Sequence, residues 1–97
     1  ISGCVASDQS LKKNVSAMSF NGSILDGLNP VNYEWIDDNR GVGVKSGFIA
    51  QEVEKVYPSA VVSGGPGLKA VDPNAIIAQL VLEIKQLKKR VFDLESK

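Results

Sequence analysis

The sequence predicts a small α+β domain with short strands, a hairpin and one long C-terminal helix. Three observations carry this expectation. Apolar residues near the end recur at helical spacing, the β-prone runs upstream are brief and separated by glycine and proline turns, and 97 residues suffice for one small core.

In chain order, Ile1 to Ala6 is small, apolar and uncapped, and reads as the end of a preceding element. Ile24, Leu25 and Leu28 suggest one or two helical turns closed by Asn29-Pro30, because the residue before a proline disfavours helix. Asn32 to Ile36 alternates, with Tyr33 and Trp35 on one side, as a strand does. Asp37-Asp38-Asn39-Arg40-Gly41 turns the chain into a second strand over Val42 to Phe48, interrupted by Gly43 and Gly47. Ile49, Val53, Val56 and Tyr57 share one face of a short amphipathic helix stopped by Pro58. Ala60-Val61-Val62 and Leu68-Lys69-Ala70-Val71 flank Ser63-Gly64-Gly65-Pro66-Gly67, which reads as a hairpin.

The last element, over 72–97, is the clearest. Asp72 is a good N-cap, and Pro73 sits at the first helical position, where its missing N–H costs nothing. Ile77, Leu80, Ile84, Leu87, Val91 and Leu94 then follow at alternating spacings of three and four. This is a heptad pattern with Ile, Ile and Val at a and Leu at every d. The stretch Lys85-Gln86-Leu87-Lys88-Lys89-Arg90 is too polar for burial on all sides, so the seam is read as a self-association surface, a coiled coil. β-Branched residues at a with Leu at d favour two strands, whereas Ile76 at g and Val81 at e widen the apolar face and suit a third. Dimer and trimer both remain open at this point.

Composition excludes several functions. Eleven basic residues against 11 acidic ones leave no excess positive charge for phosphates, so no nucleic-acid partner is expected. The absence of histidine removes the usual general base and the usual zinc ligand, and neither a metal nor a cofactor is expected. One cysteine, Cys4, cannot close an intrachain disulfide. No apolar run approaches about 20 residues and the first residues lack signal-peptide order, so no membrane partner is expected.

Without histidine, a serine nucleophile needs a lysine base whose ammonium is depleted by burial. Ser7-Asp8-Gln9-Ser10-Leu11-Lys12 offers such a pair, although residues five apart do not share a helix face. The pair works only if Ser7 precedes a helical turn and Lys12 folds back; otherwise Ser7 is a helix cap and Lys12 a solvated cation. Other candidates are weaker. Glu52 and Glu54, two apart on a helix, point away from each other. Asp37-Asp38-Asn39 lacks the ligand pattern of a calcium loop, and Gly64-Gly65-Pro66-Gly67 lacks the Lys-Ser/Thr of a phosphate loop. Tyr33 and Trp35 suit a sugar-stacking surface, with core packing as the ordinary explanation.

The order of segments is more specific than any one of them. Ser7-Asp8-x-x-Leu11-Lys12-x-Asn14-Val15 precedes Leu28-Asn29-Pro30-Val31-Asn32-Tyr33-Glu34-Trp35, then Gly47-Phe48-Ile49-Ala50-Gln51-Glu52-Val53-Glu54, Tyr57-Pro58 and the heptad helix. From Ser7 to its end the chain resembles the C-terminal intramolecular chaperone domain of phage tailspikes, tail fibres, neck appendages and endosialidases, also classed as the S74 peptidases. Val15, where isoleucine is expected, is the one visible departure. The resemblance implies a homotrimer whose long helix forms a trimeric coiled coil. It implies an upstream β-rich passenger on the same polypeptide, assembled in the host cell cytoplasm and destined for the virion.

It also implies autoproteolysis at Ala6–Ser7, with Ser7 as nucleophile, Lys12 as general base, and Asp8 and Asn14 in support, Asp8 either capping the turn or holding Lys12 and Asn14 in place. Residues 1–6 are then the passenger's last residues and 7–97 the chaperone. Two other functions remain as alternatives: a non-cleaving trimerisation module in which Ser7 only caps a helix, and the processing domain of a membrane-tethered transcription factor.

Overall fold

A computed structural model describes residues 6–97 of the chain. Its elements are α1 (Gly22–Gly27), β1 (Val31–Tyr33), β2 (Lys45–Gly47), α2 (Ala50–Val56), β3 (Val61–Gly65), β4 (Leu68–Val71) and α3 (Pro73–Glu95), a mixed α+β fold. The two strand pairs are separate antiparallel hairpins, β1 with β2 and β3 with β4. The stretch 1–6, read above as the end of a passenger, lies outside the described residues apart from Ala6.

Local chemistry sets each boundary. Asn21 caps α1, its Oδ1 accepting from the N–H of Ser23 at 3.1 Å and the hydroxyl at 2.6 Å. α1 ends at Gly27, with Leu28 as its extended C-cap ahead of Asn29-Pro30. β1 is shorter than the alternation suggested. It ends at Tyr33, and Asp37 begins a capped 3-10 turn over Asp38–Arg40. Gly41 and Gly43, at φ +139° and +90°, then delay the return strand until Lys45. Val31 pairs with Gly47, Asn32 with Ser46 and Tyr33 with Lys45. α2 stops at Val56, and Pro58 opens a 3-10 turn to Ala60. The β3–β4 hairpin forms around the glycine-rich turn, with a register shift between Ser63 and Gly65 and left-handed backbone at Gly65 and Gly67.

The Asp72 carboxylate caps α3 by accepting from the N–H of Asn74 at 3.0 Å, and Pro73 is the first helical residue. The backbone N–H of Asp72 donates to the Ala60 carbonyl at 2.7 Å, locking the foot of the hairpin to the turn after α2. From there α3 runs 23 residues, roughly 35 Å.

The core is small. Val53 of α2, Ala60 and Ile76 of α3 are 1%, 0% and 4% exposed, with Leu28, Phe48, Tyr57, Val61, Val71 and Ala75 packed around them. Ile76 therefore packs within its own chain and does not widen the seam as its heptad position suggested. The six seam residues show the reverse. Their exposure runs from 43% at Leu80 to 65% at Leu94, so none packs into the core of a single chain.

Gly27 marks the closest approach between helices. A Cβ there would lie 2.5 Å from Cγ1 and 3.1 Å from Cβ of Val56, a stiff β-branched side chain. Gly27→Ala is expected to destabilise the domain by about 1–3 kcal/mol through overpacking, despite alanine's better helix propensity. Urea unfolding at matched concentration measures it, and an unchanged or raised midpoint would refute it.

Candidate active site at the first turn

Residues 9–11 form a single 3-10 turn, and its cap is Asp8. Asp8 Oδ1 accepts from the backbone N–H of Ser10 at 2.8 Å and from its hydroxyl at 2.7 Å. These bonds, the hydroxyl's first, hold the Asp8 carboxyl below its ordinary range, so it stays an ionised cap. Ser7 therefore does not cap a helix, because the longer Asp8 side chain, one residue on, already supplies the oxygen the turn needs. Of the two supporting roles open to Asp8, capping the turn or holding Lys12 and Asn14, its side-chain bonds show the first: they go to Ser10.

Released from capping, Ser7 meets Lys12. The turn closes with N–H groups of Leu11 and Lys12 donating to the carbonyls of Asp8 and Gln9 at 3.1 Å each. Lys12 has extended backbone, φ −118° and ψ 147°. Its Nζ donates to Ser7 Oγ at 2.6 Å. Five residues of separation would put the two on different faces of an α-helix; one tight turn followed by extended backbone brings their tips together. Asn14, two residues on, takes a left-handed conformation at φ 53°, which asparagine tolerates better than most side chains. Ser7, Asp8, Lys12 and Asn14 are all exposed in the single chain, as are Leu11 and Val15 beside them.

The remaining candidates find other roles. Asp37 Oδ1 accepts from the N–H of Asn39 at 3.0 Å, so that loop is a capped turn. Glu54 pairs with Lys69, while Glu52 accepts from Asn29 Nδ2 at 3.5 Å, so the two carboxylates diverge. Tyr33 and Trp35 meet edge to face at 5.2 Å between ring centroids, and the Arg40 guanidinium lies 5.6 Å from the Trp35 ring.

An open trough of about 980 Å³, not foreseen from the sequence, lies between the β1–β2 hairpin, the start of α2, the β3–β4 hairpin and the first turns of α3. Trp35, Phe48, Ile49 and Leu68 line it together with Ile77 and Leu80, the first two seam residues. The signal was available in apolar residues of four separate segments, but nothing in their order said that they converge. The trough does not include Ser7 or Lys12.

The family model described as chaperone of endosialidase, the S74 peptidases, matches residues 7–62. It therefore spans the serine–lysine turn, both helices ahead of α3 and the first hairpin, and stops before the heptad helix. No individual curated protein matches the chain. With more than half of its length matched, and the segments in the order described above, the chain belongs to the endosialidase-chaperone family of S74 peptidases.

Proposed function

We propose that this domain is a homotrimeric intramolecular chaperone that assists the folding and assembly of an upstream β-rich passenger and then cuts itself free at Ala6–Ser7. The observation that carries the reading is the 2.6 Å contact between Lys12 Nζ and Ser7 Oγ. It unites the two residues that the family resemblance nominates, and the family match begins at Ser7 itself.

Ser7 lies on the amine side of the bond to be cut, so its Oγ reaches the Ala6 carbonyl carbon through its own backbone. Lys12 in its neutral form takes the hydroxyl proton as the C–O bond forms. In the observed contact the ammonium donates to Oγ; once neutral, the same pair works in the opposite sense, with the hydroxyl donating to Nζ. A backbone N–H at the start of the turn would hold the oxyanion. The tetrahedral intermediate collapses with cleavage of the Ala6–Ser7 C–N bond, and Lys12 returns the proton to the departing amine. The result is an ester between Ala6 and Ser7 Oγ. Water hydrolyses it to the Ala6 carboxylate and a chain that begins at Ser7 with its hydroxyl restored.

Exposure of Ser7 and Lys12 in one chain gives assembly its part in the reaction. In water the ammonium is the stable form, whereas removal of water by neighbouring subunits favours the neutral amine. Cutting would thus follow assembly. The seam supplies that assembly: three α3 helices brought together hold the passenger chains at an effective concentration far above that of free chains. Alignment of long β-chains, which is slow because the contacts are distant in sequence, then starts from a fixed register. Once cut, the passenger is kinetically trapped, since an unfolded copy has lost its aligning device.

The test is the denatured intact mass of the chain carrying its natural upstream segment, beside Ser7→Ala. Loss of everything before Ser7 in the wild type alone is expected, with the variant slowed by more than about a thousandfold. Two intact chains that both assemble would leave a trimerisation module without the chemistry.

A further inference from the structure

We infer that Ser10 is a positioning residue for the cut, because its two donors hold the Asp8 carboxylate on the turn and so withhold it from Lys12. The inference rests on the proposed Ser7–Lys12 chemistry and adds to it a residue at one of the motif's unspecified positions. Asp8 and Lys12 are four apart, the spacing at which an acid and a base meet on a helix. One further helical turn past Leu11 would give the Lys12 ammonium that carboxylate in place of Ser7 Oγ. The structure shows the other outcome. Asp8 Oδ1 accepts from the Ser10 N–H at 2.8 Å and from the Ser10 hydroxyl at 2.7 Å, and Lys12 Nζ goes to Ser7. Among the described residues the one ion pair joins Lys69 and Glu54.

The difference decides the charge on the base. An ammonium paired with a carboxylate is held in its charged form, and a charged Lys12 cannot accept the Ser7 proton. Ser10 meets the carboxylate's demand for donors instead, and its hydroxyl is the first cause that keeps the Asp8 carboxyl below its ordinary range. Little else holds the turn, since residues 9–11 bury no side chain and two backbone bonds close it. No charged side chain of another element bonds to Asp8 or Lys12 among the described residues, and the next charged group along the chain is Lys13. A second cap separates the geometry from the charge. Asn21 Oδ1 accepts from the N–H and hydroxyl of Ser23 at 3.1 and 2.6 Å, so the doubled cap also forms on a neutral side chain. Asp37 and Asp72 have asparagine at the same following position, Asn39 and Asn74, and take the backbone N–H alone. Serine two residues after the cap therefore supplies the second donor, and at Asp8 it does so beside the proposed base.

The pH–rate profile of cutting tests this, read by intact mass on chains that carry the natural upstream segment. Ser10→Ala is expected to displace the profile to higher pH by at least about half a unit, because Lys12 then gains a carboxylate partner. At neutral pH that displacement slows cutting by about three- to tenfold, with assembly by sedimentation unchanged. Ser10→Thr keeps the hydroxyl and is expected to cut within about twofold of the wild-type rate. Asp8→Asn keeps the cap oxygen and removes the competing charge, so in that background Ser10→Ala should leave the profile where it is. An equal displacement in both backgrounds, or a slower rate without displacement, would reduce Ser10 to holding the turn and overturn the inference. So would a Ser10→Ala chain as inert at every pH as Ser7→Ala. A wild-type chain that never cuts would remove the Ser7–Lys12 chemistry and this inference with it.

Discussion

Leu87→Asp is expected to leave the chain monomeric, folded and uncut. Leu87 is a d residue in the middle of the seam, 48% exposed in the single chain and outside the Val53–Ala60–Ile76 core. A carboxylate there costs the monomer little. In an assembled coiled coil it would place an unpaired charge in a buried layer from every helix, a penalty of about 3 kcal/mol or more per chain. Circular dichroism should show the hairpins and α1–α2 packing retained, while the sedimenting mass falls to one chain. The same variant should keep its upstream segment, because Lys12 would remain in water. A monomeric variant that cuts at the wild-type rate would separate cleavage from assembly and remove the proposed order of events.

The second large effect is expected at Lys12. Lys12→Met keeps a long apolar stem and removes the base, so cleavage should slow by about 10²–10⁴-fold while assembly is unchanged. Lys12→Arg is the sharper control. Its guanidinium can still donate to Ser7 Oγ but does not give up its proton, so a role in hydrogen bonding alone would survive and a role as base would not. Both variants are expected to be equally slow. Intact mass against time measures the rates. Wild-type cleavage by Lys12→Arg would assign Lys12 to positioning and leave the reaction without its proposed base.

Much of the fold was legible because its signals are local. Asp72-Pro73 starts α3, Asn29-Pro30 follows the end of α1, Pro58 follows α2, and the glycine turn after Val62 folds the second hairpin. What could not be read depends on contacts between segments. Alternation through Trp35 and Ile36 implied a longer strand, but β1 ends at Tyr33 and its partner begins only after Gly43. Periodicity identified an apolar stripe on α3 without saying which side faces the chain's own core. Ile76 and Ile77 are successive residues, about 100° apart on the helix, yet one is buried against Val53 and Ala60 and the other lies open beside the trough. The site shows the same division. The Ser7 and Lys12 residue types could be read in order, but their approach depends on Asp8 taking the cap and on extended backbone after the turn. Ser and Asp are both good N-caps, so composition alone could not assign that duty.

If assembly completes the catalyst, the rate of cutting depends on how often chains meet. The chain with its natural upstream segment would be released from denaturant at a series of concentrations and the fraction beginning at Ser7 followed by intact mass. If three chains must meet before Lys12 is desolvated, the initial rate per chain should climb steeply with concentration and level off where sedimentation finds the chain fully assembled. A rate per chain that is the same at every concentration, including those at which the chain is a monomer, would contradict it.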